Sequence, residues 1–204
     1  MATNTLPNAP SFPVTGDAEA DALLATDPFA LLLGMLLDQQ VPMEWAFRSP
    51  WRLRERIGSR FSPAGIAKFD PDELKAVFTE VPALHRFPGS MATRVLALSH
   101  HLVDTYDGVT ERLWLEARTG DELLRRLREL PGFGEEKARI FVALLAKRFG
   151  VRPRGWKAPR LSFRSWKAAP STAATAWCPT PAARRSRGRS RTCSSRSPAS
   201  PSAG

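Results

Sequence analysis

The sequence predicts an all-α fold. Three observations carry that prediction: four Asp-Pro or Ser-Pro pairs placed as helix starts, apolar residues recurring at helical spacing, and no run of alternating strand-like residues. An Asp or Ser before Pro makes a start because its side-chain oxygen accepts from orphan N–H groups. Pro then fits the first helical position, where no N–H is needed.

Taken in chain order, Asp27-Pro28 opens a helix in which Leu31, Leu32, Met35 and Leu36 share a face. Ser49-Pro50, Ser62-Pro63 and Asp70-Pro71 are expected to open three more. Val95, Leu98, Leu102 and Tyr106 line one side of a helix within 88–108. Thr119 and Glu122 read as a capping box ahead of LLRRLREL. Beyond the LPGFG turn (130–134), Ile140, Leu144, Leu145 and Phe149 return to one face, and Gly150 is a helix stop.

The chain has 204 residues, 43% of them hydrophobic, and a formal net charge of +10. That charge is unevenly placed. Residues 1–156 hold 20 Lys+Arg and 20 Asp+Glu, whereas 157–204 hold 10 Lys+Arg and no carboxylate side chain. The high isoelectric point therefore belongs to the tail and says nothing of a basic surface on the helical part.

Three segments are expected: a flexible leader over 1–16, a helical domain over 17–156, and a tail over 157–204. In the tail, Arg, Ala, Ser and Pro supply 34 of 48 residues. It is either a disordered basic arm that binds nucleic acid without sequence preference or the product of a frameshift in GC-rich DNA near codon 156. Both cysteines, Cys178 and Cys193, fall in it, at a spacing that fits neither zinc nor an iron–sulfur cluster. His100 and His101 read as helix-surface histidines, so no metal site is expected. The N-terminus has no basic start or apolar run, and FALLLGMLL (29–37) is too short to span a bilayer. These readings predict a cytoplasmic monomer with no cofactor and no membrane partner.

LPGFGEEKA (130–138) carries the first functional signal. Leu130 is expected to end one helix and bury its side chain. Gly132 and Gly134 are both expected to take angles that a Cβ would forbid. Their N–H groups, with those of the next helix's first turn, would form an anion site for a DNA phosphate, which positions a protein without reading sequence.

Three pieces in order, LLLGMLLDQQV (31–41), PGSMATRVLALSHHLVDTYDG (88–108) and LPGFGEEKARIFVALLAKRFG (130–150), resemble the helix-hairpin-helix DNA glycosylase superfamily, the endonuclease-III-like base-excision-repair proteins. The resemblance spans about residues 18–150 and implies a two-lobed helical domain that binds duplex DNA and flips out a base. It assigns DNA contacts to Gly132, Phe133, Gly134, Lys137, Gln39 and Gln40, with Gln40 filling the gap left by a flipped base. Lyase-capable members carry a Schiff-base lysine where this chain has Glu136, and a downstream carboxylate where it has Arg154. No Asp or Glu follows Glu136, so the resemblance implies a degraded catalytic motif and a native C-terminal end that this sequence lacks. Glu136 and Asp38 are the remaining candidates for a general acid or base. The other readings are a non-catalytic DNA-binding module and a protein-interaction module with a basic nucleic-acid-binding tail.

Overall fold

A computed structural model describes residues 13–155. The 157–204 tail, with both cysteines, and most of the leader lie outside them. The helices are α1 (Ala18–Thr26), α2 (Pro28–Leu37), α3 (Met43–Ile57), α4 (Pro63–Ile66), α5 (Pro71–Thr79), α6 (Pro88–Tyr106), α7 (Arg112–Leu115), α8 (Gly120–Glu129) and α9 (Glu135–Arg148). A 3-10 turn, Gly58–Arg60, follows α3. Among the described residues the one β feature is an isolated parallel bridge between Thr119 and Arg154.

Local chemistry explains most of the helix starts. Asp27 accepts from the N–H groups of Phe29 and Ala30 at 2.8 and 3.2 Å. Ser62 accepts from Gly65 at 3.0 Å, and Asp70 from Asp72 and Glu73 at 2.9 and 3.3 Å. Thr119 accepts from Glu122 N–H at 3.1 Å, while the Glu122 carboxylate returns to Arg118 N–H at 3.0 Å. Ser49-Pro50 is the exception. Both residues lie inside α3, which begins at Met43. Ser49 does not cap; its buried hydroxyl shares its one proton between Trp45 O (2.9 Å) and Leu84 O (2.6 Å). A Ser whose hydroxyl finds carbonyls within a packed core is no longer available to orphan N–H groups.

Helix α2 is the centre of the fold. Every residue from Pro28 to Leu37 is buried, so the single apolar face expected from spacing is an apolar cylinder. Each fully buried leucine is worth roughly 1.5–3 kcal/mol over an exposed one. Gly34 admits α3 closely: a Cβ there would lie 2.7 Å from Phe47 Cδ1. α2 packs on α1 and α3, α6 on α4 and α5, and α8 on α9. Val95, Leu98, Leu102 and Tyr106 are buried along α6 as their spacing requires. Among the described residues no single helix is long and apolar enough to cross a membrane. At the chain's two described ends, Val14 and Thr15 donate to Asp21 at 3.1 and 2.9 Å. Past α9, Gly150 takes φ 68°, and Val151 N–H reaches Leu145 O at 3.2 Å, closing the helix.

Candidate nucleic-acid interface

The turn between α8 and α9 is built on an aromatic floor. Leu130 is 2% exposed and ends α8. Phe133 is 5% exposed and meets Phe141 edge-on at 6.1 Å, and Phe141 meets Trp114 in the same way. Phe133 N–H is bonded to Leu130 O at 3.1 Å. Sequence groups Phe133 with the DNA contacts; in the structure its ring is buried against Phe141 and its N–H is taken by Leu130 O.

The two glycines differ. Gly132 has φ 83°, and a Cβ there would fall 2.6 Å from Leu36 Cδ1. Gly134 has φ −85° and ψ 174°, ordinary extended backbone, with nothing within 4 Å of a built Cβ. The expectation that both glycines need forbidden angles is therefore corrected: the conformational demand falls on Gly132 alone. Gly134 is the N-cap of α9 and has no side chain with which to cap it.

The cap's emptiness leaves donors open. The first helical bond is Ala138 N–H to Gly134 O at 2.9 Å. Among the described residues, the N–H groups of Gly134, Glu135, Glu136 and Lys137 have no acceptor. They sit at the positive end of a 14-residue helix, beside an exposed glycine. Glu135 adds less opposing charge than its position suggests, because Arg128 and Arg139 hold its carboxylate at 3.0 and 2.7 Å. Glu136 is exposed, and its carboxylate makes no hydrogen bond or ion pair with another described residue.

Lys137 turns the other way. Its Nζ donates to Leu36 O at 3.1 Å and Asp38 O at 3.3 Å, and lies 5.8 Å from the Phe133 ring centre. It is neither a solvated helix lysine nor a free phosphate contact. Burial pulls its pKa down to about 8, against the opposing attraction of Asp38 and with help from Arg94. Lys137 thus straps the hairpin to the end of α2, where the two glutamines stand.

Gln39 is fully engaged. Its Nε2 donates to Leu36 O at 2.8 Å, its Oε1 accepts from Arg94, and its backbone oxygen pairs with His85 Nε2 at 3.1 Å. Gln40 is exposed and left-handed, with φ 57°, a conformation that costs a non-glycine residue about 1 kcal/mol or more. Arg94, on α6, lies against the hairpin as well: its Cδ would be 3.8 Å from a Cβ on Gly132. The structure therefore brings together Gln39, Asp38, Lys137 and Gly132. It leaves Gln40, Gly134 and Glu136 on the exposed surface around them. Arg154 is exposed and fixed by backbone bonds to Arg118 and Gly120 at 3.2 and 3.0 Å.

Sequence reasoning missed three residues here: His85, Arg94 and Phe87. His85 is 1% exposed, and burial lowers its pKa. Phe87 is 42% exposed, an uncommon state for a large aromatic side chain, with the Arg86 guanidinium 5.1 Å from its ring centre. An Arg-Phe pair directly before a Pro-Gly helix start was a legible local signal. Gln39, the partner of Arg94 and of His85 Nε2, lies tens of residues from both and left none.

No protein-family model matches the chain. No curated protein matches it. Among solved structures it is similar to an endonuclease III trapped as a covalent intermediate with DNA (23% identity, TM-score 0.44, covering 65% of this chain and 57% of that one). It is also similar to a non-covalent endonuclease III–DNA complex (21%, TM-score 0.45, 65% and 56%). A third is the 3-methyladenine DNA glycosylase of H. pylori bound to 1,N6-ethenoadenine (20%, TM-score 0.43, 56% and 51%). The matched region spans little more than half the length of each of these proteins.

Proposed function

We propose that the helical unit binds duplex DNA without sequence preference, as a relative of the base-excision-repair glycosylases whose usual catalytic pair is missing. The observation that carries this reading is the open row of N–H groups from Gly134 to Lys137 at the exposed start of α9. A backbone phosphate satisfies such donors and meets the helix dipole favourably. Gln40 supports it: an exposed residue held at positive φ three residues past the central helix is strained, and strain of this kind often falls at functional positions. The exposure of Glu136 and the place of Arg154 on the surface at the foot of α8 fit a reading without the family's catalytic pair.

Affinity tests this reading. A chain ending at residue 156, which removes the basic tail, is titrated with a random-sequence duplex at several salt concentrations. Binding is expected to be weak, and its logarithm to fall with log salt at a slope of about −2 to −3, set by two or three phosphates. No binding at low salt would remove DNA from the account.

A second reading is favoured by one observation. Lys137, with a pKa near 8, stands between the hairpin and the Gln turn, within the electrostatic reach of Asp38. Roughly a quarter of such an amine is neutral at pH 7.5, against about one in a thousand for an ordinary lysine. In this reading the neutral amine attacks the aldehyde of an abasic sugar, water leaves, and an imine forms. Borohydride trapping on abasic duplex separates the two. The first reading expects no adduct; an adduct lost in Lys137→Ala establishes the second.

A further inference from the structure

Two parts of the exposed face come from chain segments nearly fifty residues apart: the Gln turn at the end of α2 and the Arg86-Phe87 segment at the start of α6. His85 bonds to both, and Arg94, further along α6, adds a second tie to Gln39. His85 Nδ1 accepts from the backbone N–H of Phe87 at 3.0 Å. Nδ1 must therefore be unprotonated, which puts the ring's single proton on Nε2. That proton is donated to the backbone oxygen of Gln39, 3.1 Å away. The imidazole itself is 1% exposed. Phe87 is the N-cap of α6 and has no side-chain cap, so the Phe87–His85 bond helps fix where that helix begins.

We propose that neutral His85 is a positioning residue that sets the Arg86-Phe87 segment against the Gln turn, and that protonating it uncouples the two halves of the DNA-facing surface. The consequence for DNA rests on the binding reading above; the joint itself does not. Protonation places a second N–H on Nδ1, facing the Phe87 N–H donor to donor. The bond is lost, and the new N–H on the buried ring is left without an acceptor. The charged groups acting on the ring are Lys137 from α9 and Arg94 from α6, both cationic and both opposed to a second positive charge. The carbonyls of Gln39 and Leu37 favour the imidazolium, but burial outweighs them. His85 thus stays neutral near pH 7 and yields only in acid.

The test uses the full chain. Nitrogen-15 spectra of the histidine rings give the tautomer, and amide spectra between pH 7.5 and 5 follow Phe87 and Gln40. The expected result is the Nε2–H tautomer, with the two amides titrating together at one midpoint below 6.5. In His85→Gln the shared titration is expected to vanish, because the Gln amide nitrogen can still reach Gln39 O but nothing titrates. An Nδ1–H tautomer, a midpoint at or above 6.5, or separate midpoints for the two amides overturns the joint. All three are read on the unmodified protein, so the test survives a variant that fails to fold.

Duplex affinity is then measured over the same pH range for both proteins, which share His100 and His101. The ratio of unmodified to variant affinity is expected to fall roughly fivefold into acid, about the worth of one hydrogen bond. A flat ratio overturns the consequence for DNA. Absence of duplex binding at every pH instead overturns the reading on which that consequence rests.

Discussion

Replacing Gly132 with alanine gives the sharpest mechanical test of the hairpin. Two costs add. The backbone there has φ 83°, where a residue with a Cβ loses about 1–2 kcal/mol. The new methyl would also stand 2.6 Å from Leu36 Cδ1, well inside van der Waals contact. Leu36 is 0% exposed in the central helix, so its side chain cannot swing into solvent to make room. Overpacking of this kind costs about 1–3 kcal/mol, giving a total of about 2–5 kcal/mol. For a domain of this size that lowers Tm by roughly 5–15 °C. Gly134→Ala is the control: with φ −85° and nothing within 4 Å the new methyl meets no clash, and the poorer N-cap should cost no more than about 1 kcal/mol. Urea and thermal unfolding of both variants decide the matter. Equal stabilities for Gly132→Ala and Gly134→Ala would refute the assignment of the turn.

Other expectations follow from the same geometry. Ser49→Ala removes the buried donor to Leu84 O and should cost about 1–3 kcal/mol in urea unfolding; a loss of only a few tenths would mean that carbonyl finds another partner. Lys137 binds its proton more weakly folded, at about 8, than in the unfolded chain, whose value is 10.5. The unfolded chain therefore holds more protons between those values, and this group's contribution to stability rises with pH across that window, by at most about 3 kcal/mol. The stability difference between the natural protein and Lys137→Met should accordingly shift in favour of the natural protein from pH 7.5 to 10, and a difference independent of pH would contradict the inward placement of the amine. Glu135→Gln releases Arg128 and Arg139 and should strengthen duplex binding at low salt, with a steeper salt slope; an unchanged slope would show that those arginines do not reach DNA.

What the sequence made legible was local. Asp27, Ser62, Asp70 and Thr119 each reach an N–H two or three residues away, and these caps need no knowledge of the fold. Ser49-Pro50 carried the same signature but lost its meaning once Leu84, thirty-five residues on, offered a carbonyl inside the core. In the hairpin the spacing of the two glycines was visible, but the close approach of Leu36, from another helix, to Gly132 was not. The direction of Lys137 was likewise set by carbonyls about a hundred residues away, at the end of α2. His85 and Arg94 carried no pattern, because each reaches Gln39, a partner that only the tertiary fold brings near. Long-range contacts fixed the site, and short-range ones fixed the helices.

The most direct test of the central claim, that the open start of α9 takes a DNA phosphate, is Gly134→Asp in a chain ending at residue 156. The position suits the change: its backbone is extended, as an N-cap requires, and a Cβ meets nothing within 4 Å. An Asp there can accept from the N–H groups of Glu136 or Lys137 and should stabilise the fold by about 0.5–2 kcal/mol. It would also fill the anion site with the protein's own carboxylate. The account predicts that the variant melts higher and binds duplex about tenfold more weakly, with the salt slope smaller by about one phosphate. A variant that melts higher and binds duplex as tightly as the natural sequence would contradict it.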